Sequence, residues 1–483
     1  MNGFGNDPFQ RNYQLERILH WDQLSHKKSK RRGLGAYYHE LLCHYHRLIV
    51  PKGMRVLELG CGQGDLLATL KPSLGVGMDF SIGMLRYARK KHPGLFFIRA
   101  DAHAAPLKCK FDIIILSDLV NDLWDVQRVL NQVSEFSHHG TRVILNFHNH
   151  LWRIPLSIIK SLGLGAETLE QNWFSPNDVE NLLNLSGLEV ITRKHFIMAP
   201  INMGIFSKLA NRVLVHFIPF KWFALTTFMV ARPRPDRSGA RSFQKPSVTV
   251  VIPARNEAGN IEDIMRRVPD MGKETELVFV EGHSTDDTLT AIEKAIQKYS
   301  FRKCRLLRQT GKGKGDAVRL GFEAATGDVL MILDADMTVP PEDLPRFCDA
   351  LVGGRGEFIN GVRSIYPMQD RSMRFINMVG NKFFSLVFSW LLHQSVKDTL
   401  CGTKVLWKAD YQKIAANRHR FGDFDPFGDF DLLFGASALN MKIAEIPIRY
   451  RSRTYGDTNI DRWRHGWLLL KMVWFAARRL KFI

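Results

Sequence analysis

Twice along this chain of 483 residues, short strand-like apolar runs alternate with helical stretches. The first series occupies 55–59, 74–78, 95–98, 111–117 and 142–147; the second occupies 248–253, 277–281, 304–308 and 329–333. Runs joined through helices cannot pair as hairpins, so the pattern predicts a parallel sheet covered by helices, and predicts it twice. Between the series, Arg232 to Pro246 is polar and rich in Pro and Gly, with no helical or strand period, as a linker should be. The 45% apolar content suffices for a core in each half. The expected organisation is a basic N-terminal extension (1–39), an α/β domain (40–232), a linker (233–246), a second α/β domain (247–461) and a basic amphipathic C-terminal segment (462–483).

Composition removes several function classes. The six cysteines are scattered without a CxxC pair, which argues against a disulfide framework or a zinc site and fits a reducing compartment. A net charge of +19 favours anionic partners such as phosphates or an acidic membrane surface. Nucleic acid is not expected, because no platform interleaving aromatic and basic residues is recognisable. Residues 1–26 lack the apolar core of a secretory signal. The apolar region 205–230 is interrupted by Lys208, Arg212, His216 and Lys221, and the C-terminal stretch by Lys471, Arg478 and Arg479. Neither suits a membrane span, so the expectation is a cytoplasmic protein, peripheral at the inner membrane face. The C-terminal segment combines Trp, Leu and Phe with Lys and Arg, which suits an interfacial helix and equally one that closes a core.

The first chemistry-bearing run follows the first strand. Gly60, Gly62 and Gly64 let the backbone turn tightly and approach a ligand, and Asp79 ends the next strand, where an acid can accept both ribose hydroxyl protons. A dinucleotide site is the competing reading, yet the glycines run GxGxG rather than GxGxxG, and Glu58 precedes them. With Asp101 and Ala102 after the third strand, the stretch 37–232 resembles class I S-adenosylmethionine-dependent methyltransferases. The resemblance implies a Rossmann-like fold. It puts Glu58 near the methionine end of the cofactor, Gly60, Gly62 and Gly64 beneath it, Asp79 on the ribose, and Asp101 and Ala102 facing the adenine. It also makes 111–118 the strand that opens onto the acceptor. There Asp118, Asn121 and Asp122 are candidates to orient an acceptor hydroxyl, with His148 and His150 as candidate bases. No NPPY-type run follows that strand, which disfavours methylation of a base amino group.

The second half carries four motifs in register. A buried strand runs into Pro253, Arg255, Asn256 and Glu257; a second ends at Glu281; Lys314 and Asp316 open a helix; and a fourth strand closes on Asp334 and Asp336. Two carboxylates two residues apart at a strand end can jointly face a hard divalent cation, which neutralises a diphosphate leaving group. Residues 247–460 resemble family 2 glycosyltransferases of the GT-A fold. Within that family they are similar to polyprenyl-phosphate sugar transferases such as dolichol-phosphate mannosyltransferases, through Arg363, Arg374, Asn381, Asp398 and Arg453 in that order. The resemblance implies that Arg363, Arg374 and Arg453 surround phosphates, a role suited to the planar guanidinium fork. Three departures stand out. Glu281 and Gly282 occupy the place of the family's usual aspartate pair, Thr338 replaces a glutamine in the metal region, and Asp429 and Asp431 sit where hydroxyl-accepting relatives place a catalytic acid.

These readings converge on a bifunctional enzyme of two α/β domains. It would use S-adenosylmethionine in one half, and Mg²⁺ or Mn²⁺ with a nucleotide-sugar donor in an inverting transfer in the other. An ionised lipid phosphate is the favoured acceptor, since it needs no strong base. A hydroxyl acceptor in glycolipid or polysaccharide synthesis is the alternative, with Asp431 as base and the methyltransferase modifying the sugar or serving only as a binding module.

Overall fold

The computed structural model describes residues 8–27, 34–161, 169–235, 245–363, 375–418, 428–451, 453, 455 and 462–482. The chain divides between Arg234 and Pro235 into two compact units.

The first unit holds seven strands, β1 (Arg55–Leu59), β2 (Leu74–Asp79), β3 (Phe96–Arg99), β4 (Phe111–Ser117), β5 (Ser137–His148), β6 (Leu188–His195) and β7 (Thr226–Pro233), in the order β3-β2-β1-β4-β5-β7-β6. Apart from the partly exposed Asp112 and Ser117, β4 is buried throughout, and β1 is buried beyond Arg55. Such continuous apolar runs are what a sheet covered on both faces requires. One cover helix, Val126–Glu135, shows why it forms: Asp125 caps it by accepting the Arg128 N–H, and Val126, Val129, Leu130 and Val133 make one buried stripe.

The second unit repeats the plan with β8 (Ser247–Ala254), β9 (Glu274–Glu281), β10 (Lys303–Arg308), β11 (Val329–Ile332), β12 (Phe358–Val362), β13 (Lys404–Trp407) and β14 (Ile443–Pro447), in the order β10-β9-β8-β11-β13-β12-β14. In both sheets the strand order reverses, between β1 and β4 and between β8 and β11. Loops leaving those strands diverge there and open a crevice at the carboxyl ends, where ligands of open α/β sheets bind.

Neither sheet is purely parallel, contrary to the expectation from alternation. β7 runs antiparallel to β5 and β6, and β13 antiparallel to β11 and β12. The extra strands escape an apolar-run reading because β6 ends in Thr192–His195, β12 contains Asn360 and Gly361, β13 has four residues and β14 carries Glu445 and Pro447. Boundaries differ too. Residue 39 falls inside a helix, Leu34–Ile49, which follows another, Pro8–Lys27. Of the linker, Pro233 ends β7 and 236–244 lie outside the described residues. The C-terminal segment forms a helix, Arg462–Leu480, which buries Leu469, Met472, Ala476 and Ala477 and exposes Trp467, Leu470 and Trp474. Among the described residues, no helix is long and apolar enough to cross a membrane.

Candidate active sites

In the first unit the loop after β1 adopts left-handed backbone at Gly60 (φ 71°), Gly62 (φ 52°) and Gly64 (φ 73°). A Cβ on Gly60 would lie 2.8 Å from Leu119, and one on Gly64 2.8 Å from Phe97, so these two glycines serve packing as well as the turn. A Cβ on Gly62 would meet no protein atom and would project into open space. The Gly62 N–H donates to Asp79 Oδ2 at 2.8 Å and the Ser81 N–H to Oδ1 at 2.8 Å, so the two loops are tied through this carboxylate. Burial nonetheless raises Asp79 to about 6.

Glu58 lies in the core of β1, only 3% exposed, and its Oε2 has no hydrogen-bond partner among the described residues. Burial raises it to about 8. An unmatched acceptor this deep suits a cationic or N–H-bearing ligand, and together with the open side of Gly62 the cradle fits S-adenosylmethionine. The sign of the pH effect is definite. The unfolded chain ionises Glu58 near 4.5, the fold only near 8, so its contribution to stability falls as pH rises between them. Glu58→Gln should therefore flatten the pH dependence of denaturant unfolding and stabilise the protein at pH 8, on the order of 4 kcal/mol at about 1.4 kcal/mol per unit. An unchanged profile would remove Glu58 from this account.

Asp101 is more occupied than the sequence suggests. Its Oδ1 accepts from the His103 N–H (2.8 Å) and pairs with His103 Nδ1 (2.6 Å), while Oδ2 accepts from Gln14 Nε2 (2.7 Å). Ala102 is buried beside it. Gln14 belongs to helix Pro8–Lys27, which supplies Tyr13, Gln14 and Arg17 to a cavity lined also by Gly60, Asp79 and Asp101. The same helix anchors through Arg17 and Trp21 on Asp122, and through Asp22 on the Gly83 N–H.

At the ends of β4 and β5 a second group assembles. The Tyr38 hydroxyl lies 3.0 and 3.1 Å from the Asp118 carboxylate oxygens and 3.2 Å from His148 Nε2. Asn146 Nδ2 donates to Asp118 Oδ1 at 2.5 Å. Asp118 holds a left-handed φ of 53°, unusual for a residue with a side chain, and burial raises its carboxyl above the ordinary range. Of the other acceptor candidates, Asn121 is spent on Asn172 and the His148 backbone, Asp122 on Arg17 and Trp21, and His150 is exposed. Tyr38 and Asn146 carry no local motif, and only the assembled sheet brings them to Asp118.

In the second unit Asp334 and Asp336 follow β11. Lys314 Nζ stands 2.6 Å from Asp334 Oδ1, and burial is outweighed by this lysine, which holds Asp334 below its usual range. Asp336 Oδ1 accepts from the Thr338 N–H (3.1 Å) and hydroxyl (2.8 Å), leaving Oδ2 to Arg453 Nη2 at 2.8 Å. Thr338 thus orients the carboxylate. Arg453 Nη1 also lies 4.0 Å from Glu257, which burial raises to about 7 and Asn260 steadies. The hard oxygen donors of Asp334 and Asp336 suit Mg²⁺ or Mn²⁺. Among the described residues no group of three His, Cys, Asp or Glu gathers around a metal position.

The neighbouring loops are laced together. The Asn256 N–H donates to Ser284 Oγ (3.1 Å), Asn256 Oδ1 accepts from the Thr285 N–H (2.8 Å), and Glu281 Oε1 from the Ser284 N–H (2.6 Å). Pro253 lies in β8, Arg255 is exposed, and Asp316 accepts from the Gly311 N–H to close the glycine loop opening helix Lys314–Ala324. Arg363 spends its fork on Asp398, with Nε and Nη2 at 2.7 and 2.9 Å. Arg374 lies outside the described residues. Asp431 is buried with Arg418 Nε at 2.8 Å and Arg319 Nε at 3.7 Å.

Both units are α/β transferase domains: residues 51–184 match the Methyltransferase domain family and residues 249–405 match Glycosyl transferase family 2. The chain therefore joins a Rossmann-like methyltransferase domain to a GT-A glycosyltransferase domain. Over 215 residues it is 25% identical to an undecaprenyl-phosphate 4-deoxy-4-formamido-L-arabinose transferase of Edwardsiella ictaluri, an alignment covering 44% of this chain and 62% of that protein. Over 247 residues it is 27% identical to a dolichol-phosphate mannosyltransferase of Pyrococcus furiosus, covering 49% and 67%. Similar solved structures include an S-adenosylmethionine-dependent methyltransferase of Mesorhizobium loti (TM-score 0.32, 20% identity, 39% of this chain and 97% of that one). Another is glucosyl-3-phosphoglycerate synthase of Mycobacterium tuberculosis (TM-score 0.36, 19% identity, 49% and 80%).

Proposed function

We propose that this chain is a bifunctional transferase. Its second unit moves a sugar, with inversion, from a nucleotide sugar to a polyprenyl phosphate, and its first unit transfers a methyl group from S-adenosylmethionine. The observation that carries the acceptor choice is Asp431, whose carboxylate is buried between Arg418 and Arg319. Its Oδ2 already accepts from Arg418 Nε, so that oxygen is engaged within the fold rather than turned to an acceptor. A phosphate acceptor is already ionised, whereas a sugar hydroxyl would need that base.

In the sugar transfer, an acceptor phosphate oxygen attacks the anomeric carbon in line as the nucleoside diphosphate departs. A divalent ion held by Asp334 and Asp336 would neutralise the departing diphosphate. Lys314 and Arg453 already stand at these carboxylates and are placed to follow the diphosphate charge. In the methyl transfer, S-adenosylmethionine supplies a methyl group activated as a sulfonium, so positioning provides most of the catalysis. Glu58, Gly60, Gly62, Gly64 and Asp79 would hold the cofactor, with Asp101 and Ala102 at its adenine end. Asp118 accepts the acceptor's proton, its raised carboxyl making it a stronger base, and Tyr38 bridges Asp118 to His148. Both reactions suit the cytoplasmic face of an acidic membrane, where helix Arg462–Leu480 would lay Trp467 and Trp474 beside Lys471 and Arg478.

The acceptor reading has a direct test. With polyprenyl phosphate present, Asp431→Asn should leave nucleotide-sugar turnover within about tenfold of the parent, and Arg453→Lys should cost more despite conserving charge, because the planar fork is lost. The reverse order, with Asp431→Asn down about 10²–10⁴-fold, is the signature of a general base and would move the assignment to a hydroxyl acceptor.

A further inference from the structure

A large apolar surface of the first unit is used by neither site. Helix Ile205–Arg212 turns outward Ile205 (76% exposed), Phe206 (72%) and Leu209; Ile218, Trp222 (55%) and Phe223 follow, and Ile154 (71%) and Ile158 lie on the helix Arg153–Ser161. The pieces adjoin one another: helix Ile205–Arg212 packs on the turn Leu214–His216, and that turn on Phe220–Phe223. Trp152 Nε1 donates to the Phe223 carbonyl at 2.9 Å, and Asn149 Nδ2 to the carbonyls of Trp222 (3.0 Å) and Ala224 (3.3 Å). A contiguous apolar face of this kind on a folded domain marks an interaction site.

Its charge selects the occupant. No Asp or Glu occurs from residue 136 to 166 or from 190 to 235. The charged side chains interleaved with the patch are all basic: Arg153, Lys208 and Arg212 are exposed and Lys221 half-buried. Large hydrophobes and an exposed Trp among cations, without acids, match the headgroup region of an anionic bilayer, where apolar side chains enter and Lys and Arg pair with phosphates. Protein interfaces, by contrast, are depleted in lysine relative to the rest of the surface. Position adds a consequence. Asn149, which ties Trp222 to the patch, is next but one to Phe147 and directly follows His148 of the Tyr38–Asp118–His148 group.

We infer that the first unit docks through this patch on an acidic lipid surface, and that the methyl acceptor is a hydroxyl carried by a lipid. The second clause rests on the methyltransferase reading; the docking does not. All the docking residues belong to the first unit.

The test is flotation of the full chain with vesicles of phosphatidylcholine alone or mixed with phosphatidylglycerol. The expected result is binding to the mixed vesicles, weakened by salt. Phe206→Asp with Trp222→Asp should lower vesicle affinity at least tenfold, with unfolding temperature and S-adenosylmethionine binding unchanged. Lys208→Glu with Arg212→Glu, which leaves the apolar face intact, should lower binding and erase the preference for phosphatidylglycerol. Unaltered vesicle affinity in both variants overturns the proposal. So does a parent that ignores vesicles while the Phe206 and Trp222 changes abolish self-association or capture of another protein. If the parent binds vesicles but not S-adenosylmethionine, the docking stands and the methyltransferase reading fails, taking the lipid acceptor with it.

Discussion

Asp336→Asn should reduce sugar transfer on the order of 10²–10³-fold, the usual scale for removing one electrostatic contact from a developing leaving-group charge. The substitution keeps the outline of the side chain, and the Thr338 N–H and hydroxyl can still reach Oδ1. It removes the negative charge that would hold a divalent ion against the diphosphate, and leaves Arg453 beside a neutral amide. Asp336 is 8% exposed, so loss of its charge also touches stability. The measurement is nucleotide-sugar turnover at saturating Mn²⁺ or Mg²⁺, beside a thermal melt. Lost turnover with an unfolding temperature near the parent's supports the metal clamp. Parent-like turnover in excess chelator would show that Lys314 and Arg453 alone neutralise the leaving group, and the metal would leave the mechanism.

Asp118→Asn should lower methyl transfer about 10²–10⁴-fold, the range for loss of a general base. S-adenosylmethionine affinity should be unchanged, because Asp118 follows β4 and the cofactor cradle is built on β1 and β2. Asparagine still accepts from the Tyr38 hydroxyl, so the geometry at Tyr38 survives while the proton acceptor is gone. Tyr38→Phe should cost less than Asp118→Asn, since it removes the bridge to His148 and not the base itself. The comparison requires single-turnover methyl transfer together with calorimetric cofactor binding. Full activity in Asp118→Asn, with cofactor bound normally, would place the acceptor chemistry elsewhere.

Much of the cofactor side is legible in the amino-acid sequence. Glu58, the three glycines and Asp79 sit close together along the chain, each at a strand end or turn where local backbone demands decide the residue, and the observed positive φ values and Asp79 bonds follow from that. The inner strands β1, β2, β4, β5, β8, β9 and β11 are likewise legible, because strands buried on both faces must be largely apolar. The antiparallel strands β7 and β13 are not. They fill the sheets through pairing partners distant in sequence, and their own residues bear no mark of direction.

Sequence alone determined that two parallel-type sheets, each with acid-bearing strand ends, occupy this chain. That holds because periodicity, turn chemistry and glycine placement are local properties. Tertiary structure decided which groups share a site. Tyr38 lies 80 residues from Asp118 and reaches it because helix Leu34–Ile49 packs Leu42, Tyr45 and Ile49 on the sheet face beside Ile113, Ile115 and Ile144. Arg453 meets Asp336, Arg363 turns to Asp398, and Asp431 is claimed by two arginines, through side-chain pairings that no spacing rule encodes. The fold also separated apolar residues that fill a core from those, such as Phe206 and Trp222, that face outward. Hydrophobicity along the chain is the same for both, and only the neighbours brought by folding tell them apart.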